Sequence, residues 1–80
     1  MKDSEVVERI MKGDETALDF IYKQNYRTIV KMIMNHKGSE DEAKDVYQEA
    51  VIVFWQKALR TDFVLTAKIS TYIYAIAKNL

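Results

Sequence analysis

The sequence predicts an all-α fold, a compact bundle of about four helices. Three observations carry this. The chain has no proline, and its two glycines fall between helical stretches rather than inside them. Apolar residues recur at spacings of three and four, and no segment alternates with the period of two that a half-buried strand needs. Capping residues stand where the apolar periods begin.

Taken in order, Asp3 or Ser4 is placed to cap a short first helix running to about Lys12, with Gly13 as its left-handed stop. Asp14 caps a long second helix. Its apolar stripe is Leu18, Ile21, Tyr22, Tyr26, Ile29, Val30 and Ile33, and it ends at Gly38. Ser39-Glu40-Asp41-Glu42 is a capping box, in which serine and glutamate each satisfy the other's orphan amide, and it opens a third helix to about Leu59. From Arg60 to Lys68 the periodicity is lost and the chain reads as a loop. The last helix begins near Ile69, with Ile69, Ile73, Ile76 and Leu80 on one face and Thr71, Tyr72, Ala75, Lys78 and Asn79 on the other. Asn79-Leu80 is reached while the helix is still periodic and without a C-cap, so the natural protein is expected to continue.

Composition narrows the class. Eighty residues make one small domain, able to bury only about 60–65% of its unfolded surface. Hydrophobic residues are 49% of the chain, yet no apolar run approaches the ~20 needed to span a bilayer. No secretory signal opens the sequence, and without cysteine there is neither a disulfide frame nor thiolate chemistry. A cytoplasmic location fits.

Net charge is zero, which counts against a simple duplex-DNA binder. Its distribution is more telling: residues 1–22 carry net −3, residues 23–37 +4, residues 38–55 −4 and residues 56–80 +3. An acidic helix suits a basic protein surface, and a basic C-terminal block suits phosphate. Mutual neutralisation of antiparallel helices is the plainer explanation for the first three blocks.

Within the third helix, Asp45, Gln48, Glu49, Ile52 and Gln56 share one narrow stripe, while Ala43, Val46, Tyr47, Ala50, Val53 and Phe54 form the opposite, core-like side. Two acids, an amide and an outward isoleucine in a row, with Trp55 at the margin, can grip another protein. A solvated face with one stray isoleucine has the same pattern. On the core side, Val53 and Phe54 are expected against the second helix near Tyr26 and Ile29.

No catalytic constellation is visible, and an enzyme is not expected. His36 is the only histidine, and Glu40, Asp41 and Glu42 are neighbours that do not converge on a helix. They are explained as acids at a helix N-terminus. No glycine-rich phosphate loop is present, and neither a metal nor a cofactor is implied. The last helix offers rings (Tyr72, Tyr74), a cation (Lys78) and an amide (Asn79). Single-stranded nucleic acid is held by this mixture, through base stacking and phosphate tracking. Tyr74 lies beside Ile73, Ile76 and Ala77 and is expected to pack inward.

The order of residues adds a resemblance. Asp45-Val46-Tyr47-Gln48-Glu49, followed by an apolar run and Trp55, resembles the D-x-x-Q-E helix of bacterial RNA polymerase sigma factors of the sigma-70 family. Ile69-Ser70-Thr71-Tyr72-Ile73-Tyr74-Ala75-Ile76-Ala77-Lys78-Asn79 resembles that family's aromatic-leucine-x-x-isoleucine-alanine-x-asparagine helix. Upstream, Gly13-Asp14-Glu15-x-Ala17-Leu18-x-x-x-Tyr22-x-x-x-Tyr26 is similar to the opening helices of the extracytoplasmic-function (ECF) subgroup. The matches run in family order over roughly residues 6–80. Two positions depart. The family often has phenylalanine where this chain has Val51, and tryptophan where it has Tyr72. Valine still fills a core. Tyrosine keeps a flat ring but changes its size and adds a hydroxyl.

The resemblance implies a core-binding and promoter-melting domain over residues 1–80, sigma region 2, without the C-terminal helix-turn-helix domain of a full sigma factor. It implies docking of Asp45, Gln48, Glu49 and Ile52, with Trp55 at the rim, on the clamp helices of the RNA polymerase β′ subunit. It also implies that Thr71, Tyr72, Lys78 and Asn79 face the non-template strand of the minus-ten element. A flipped base would enter a pocket at the preceding loop, where Arg60, Phe63, Thr66 and Lys68 are candidates and Phe63 can equally cap the core. An anti-sigma factor is a further candidate partner. The alternative is a helical protein-interaction module that keeps this architecture without promoter activity; a helical enzyme subunit is a remote third.

Overall fold

Four helices form in the order α1 (Asp3–Met11), α2 (Glu15–Lys37), α3 (Glu40–Ala58) and α4 (Ile69–Lys78). The computed structural model describes residues 1–60 and 62–80, with all their side chains except that of Lys37. Among the described residues there is no strand, and no helix is long and apolar enough to cross a membrane.

The breaks between helices come from local chemistry. Gly13 and Gly38 adopt φ of 81° and 87°, the left-handed region that only glycine enters without steric cost. The Gly38 N–H closes α2 on the Met34 carbonyl at 2.8 Å. The Asp14 carboxylate accepts from the Thr16 hydroxyl at 2.6 Å and from the Thr16 N–H at 3.0 Å, so the hydroxyl first and then the backbone amide hold its pKa below the usual carboxylate value. Ser39 Oγ accepts from the Glu42 N–H at 3.0 Å, which is the serine half of the expected capping box.

α3 is the central element, packed on both α2 and α4. Its buried residues are Ala43, Tyr47, Ala50, Val51, Phe54 and Ala58, while Val46 and Val53 are only half-buried. On α2, Ala17, Ile21, Ile29, Val30 and Ile33 are buried, and Leu18, Tyr22 and Tyr26 are half-buried. Val6, Val7 and Ile10 attach α1.

Three expectations need correction. Neither Asp3 nor Ser4 caps α1: Lys2 holds the cap position and provides no side-chain bond, and the Asp3 carboxylate accepts instead from the Ile69 N–H. Phe54 is buried against the ring edge of Phe63 and the ring of Tyr72 rather than against Tyr26 and Ile29. Half-buried Val53 borders a groove with Tyr72, Ala75 and Ile76 of α4. The α3 ring that meets Tyr26 is Tyr47. Finally, the inward face of α4 closes with Ala77, since Leu80 is 42% exposed. α4 stops at Lys78, where the Asn79 side-chain amide donates to the Ala75 carbonyl at 2.9 Å.

No ion pair among the described residues joins one of the alternating charge blocks to another across helices. Among the described residues every ion pair is local: Arg9–Glu5, Lys12–Glu8, Lys23–Asp19 and Lys44–Glu40 lie within one helix, and Arg9–Asp14 and Arg60–Asp62 span one turn.

Tyr47 joins α3 to α2. Its ring is fully buried, 5.1 Å from that of Tyr22 and 5.7 Å from that of Tyr26, and its hydroxyl donates to the Tyr22 carbonyl at 2.7 Å. Burial first, and then the neighbouring Tyr22 and Tyr26, push this phenol well above its ordinary value of 10.0. The unfolded chain therefore releases the proton near pH 10 while the folded chain retains it, so this contribution to stability is complete below pH ~10 and falls as pH rises further. Tyr47→Phe should cost about 1 kcal/mol at neutral pH through the lost hydrogen bond. It should also flatten the decline in melting temperature above pH ~10, measured by circular dichroism; an unchanged alkaline slope would assign that decline to other groups.

Candidate functional site

Two surfaces of different character flank α3. On the first, Asp45, Gln48, Glu49, Ile52 and Gln56 are all exposed, with Ile52 at 45%, and Trp55 is half-buried beside them. The helix turns the acids and amide outward because Tyr47, Ala50, Val51 and Phe54 claim the inward side. Among the described residues, Asp45 and Glu49 have no ion-pair partner, so their charge is directed at solvent.

The stripe has a second wall that sequence reasoning missed. Gln48, Val51 and Ile52 share a groove of about 530 Å³ with Glu15, Leu18, Asp19 and Tyr22 of α2. Leu18 and Tyr22 were expected in the core stripe, and their partial exposure follows from how α2 crosses α3. The groove thus has an apolar floor with two acids on its α2 side, Glu15 and Asp19, and the amide of Gln48 on its α3 side; Asp19 is engaged by Lys23 at 3.1 Å. Such a surface suits a partner segment that carries both apolar and basic side chains.

The second surface comprises the loop at 60–68 and the outer face of α4. Phe54, Phe63 and Tyr72 form an aromatic trio with centroids 5.9–6.1 Å apart, and Phe63 closes the core. Tyr72 is half-buried in this trio. Its hydroxyl oxygen accepts from the Thr66 N–H at 3.0 Å and lies 2.6 Å from Thr66 Oγ1. These bonds, side-chain contact first, draw its pKa below the ordinary phenol value. The added hydroxyl of tyrosine therefore ties the loop to α4, and the ring presents only part of its face.

The remaining candidates are spread around this trio. Arg60 pairs with Asp62 at 3.3 Å. Thr66, Lys68, Thr71, Lys78 and Asn79 are exposed, and one of the two Asn79 side-chain amide hydrogens is committed to the Ala75 carbonyl. Lys78 Nζ sits 5.6 Å from the Tyr74 ring centroid, and half-buried Tyr74 bonds His36 at 3.1 Å. Thr61 of the loop lies outside the described residues. Lys57 was missed. It borders a depression of about 330 Å³ with Arg60, Phe63 and Tyr72, and another of about 350 Å³ with Tyr72, Ala75 and Asn79. Its membership in the basic block from residue 56 was the available signal. Among the described residues, no three His, Asp or Glu side chains converge as a metal site.

A four-helix domain with an acid–amide–isoleucine stripe on its central helix and an aromatic–basic face on its last is the architecture expected of a sigma-factor core domain. Residues 21–80 match the family described as Sigma-70 region 2, and the chain belongs to that family, a sigma-factor domain of transcription initiation. It is also similar to the RNA polymerase sigma-H factor of Pseudomonas aeruginosa, with 34% identity over 80 residues, covering 98% of this chain and 39% of that protein. The chain thus spans about two fifths of that relative's length. No solved structure gives a significant match.

Proposed function

We propose that this domain, of ECF type, docks on the β′ clamp helices of RNA polymerase through the α3 stripe and captures the unpaired non-template strand of the minus-ten element with α4 and its preceding loop. The observation that carries the reading is the outward row Asp45, Gln48, Glu49 and Ile52, whose two acids have no ion-pair partner among the described residues, coinciding with the D-x-x-Q-E motif. Glu15, Leu18 and Tyr22 would extend the docking groove onto α2. No nucleotide is consumed in this role. Preferential binding of the unpaired strand shifts the duplex toward melting, by as much as the two affinities differ.

Strand capture would use Tyr72 as a partial stacking surface, Lys57, Lys68 and Lys78 as phosphate partners, and Thr71 and Asn79 for base edges. Stacking on a ring is worth about 1–3 kcal/mol per base when the whole face is available, so half-buried Tyr72 belongs at the low end. Fluorescence anisotropy with matched single- and double-stranded oligonucleotides at two salt concentrations tests this half of the proposal. Binding should favour the single strand and weaken with salt. Tyr72→Ala should weaken it, and Lys78→Ala should reduce the salt slope by about one ion. Equal affinity for both forms, or indifference to Tyr72→Ala, would leave the interaction module without promoter activity as the better reading.

A further inference from the structure

We propose that Asp3 is a positioning residue for α4, serving from the start of α1 as the N-terminal cap that α4 does not obtain from its own flank; its consequence for DNA rests on the strand-facing reading of α4. The Ile69 N–H donates to Asp3 Oδ2 at 2.9 Å, across 66 residues of sequence. Lys68, at the cap position of α4, is extended (φ −64°, ψ 147°) and makes no side-chain cap bond, and the first turn of α4 contains no acid. A lysine there has donors only. The carboxylate of Asp3 therefore brings both an acceptor and the negative charge that a helix N-terminus favours.

Asp3 is suited to this by its own placement. It is the first residue of α1, half-buried, and α1 is anchored by the buried side chains of Val6, Val7 and Ile10. Ile69, whose amide is the one bonded, is itself buried. α4 has ten residues, too few for a helix to persist in water without tertiary support. Its first turn is also the downstream anchor of the loop at 60–68, which is held as well by the Tyr72–Thr66 contact and by Phe63 in the aromatic trio. Fixing the Ile69 amide thus sets where Thr71 and Tyr72 emerge and where the loop ends. Asp3 lies outside residues 21–80 that match the family.

The test uses the 80-residue chain and two readouts, amide hydrogen exchange by NMR and anisotropy with a single-stranded oligonucleotide. Asp3→Ala should speed exchange of the amides of residues 69–72 by about tenfold while changing those of residues 47–54 by less than about twofold, and it should weaken oligonucleotide binding. Asp3→Asn keeps an acceptor without the charge, should fall between, and decides the matter if the alanine variant does not fold. Lys68→Asp on the Asp3→Ala background puts a carboxylate at the cap position of α4 itself and should restore protection of the first turn. Unchanged exchange at residues 69–72 would overturn the proposal. So would uniform acceleration through α2 and α3, or failure of Lys68→Asp to restore protection. If the unaltered chain binds no oligonucleotide, strand capture is wrong while the exchange readout still decides the cap.

Discussion

Phe54→Ala should destabilise this domain by about 3–5 kcal/mol. A chain of 80 residues has roughly 4–12 kcal/mol of total stability, so the variant should be largely unfolded or melt at least roughly 12 °C lower. Phe54 is 0% exposed on the central helix. Its ring meets the edge of Phe63 at 6.0 Å and the ring of Tyr72 at 6.1 Å. Truncation removes the shared partner of both, so the cavity opens where the loop at 60–68 is held to α4, and neither short element can collapse into it without losing the Tyr72–Thr66 bonds. Thermal melting by circular dichroism checks the total effect, and Phe63→Ala should cost less because Phe63 is only half-buried. A Phe54→Ala variant that melts with the parent would mean that α3 is rotated away from this packing.

Glu49→Lys should abolish binding to core RNA polymerase while leaving the fold intact. Glu49 is exposed and has no ion-pair partner among the described residues, so reversing it should change stability by less than about 0.5 kcal/mol. At an interface the same change sets a cation against basic partner groups. Loss of one member of a buried charge pair costs about 2–5 kcal/mol, or roughly 30- to several thousand-fold in affinity. Gln48→Ala with Ile52→Asp attacks the neighbouring amide and the apolar centre, and should have a comparable effect. Both are measured by titrating labelled protein with core polymerase, with melting recorded in parallel. Unchanged affinity in both variants would reduce the stripe to solvated surface.

Much of this domain is legible in local pattern. Gly13 and Gly38 ending helices, Asp14 and Ser39 starting them, and the exposure of Asp45, Gln48, Glu49 and Ile52 follow from spacing and capping, which act within one or two turns. Other features depended on which faces meet. Periodicity places Val53 and Phe54 on the inward side of α3 but does not say whether α2 or α4 covers them, and both face α4. Leu18 and Tyr22 read as core, yet the crossing of α2 and α3 leaves them as the wall of a groove. The tyrosine hydroxyl at position 72 was visible as a departure, but its partner Thr66 was not.

Local pattern was enough for the four helices, the breaks at Gly13–Asp14 and Gly38–Ser39 and the outward stripe of α3, together with the family motifs on α3 and α4. The aromatic trio around Phe54, the α2 wall beside Ile52 and the bond from Asp3 to the Ile69 amide came from helix packing. The two kinds of feature differ in range. Backbone hydrogen bonding and side-chain periodicity are settled within about four residues along a helix, whereas the rotation and crossing of helices are set by packing side chains from distant parts of the chain. Asp3 and Ile69 show the difference most plainly: as a helix-starting acid Asp3 looks like the cap of its own helix, and only the docking of α1 beside α4 makes it the cap of another.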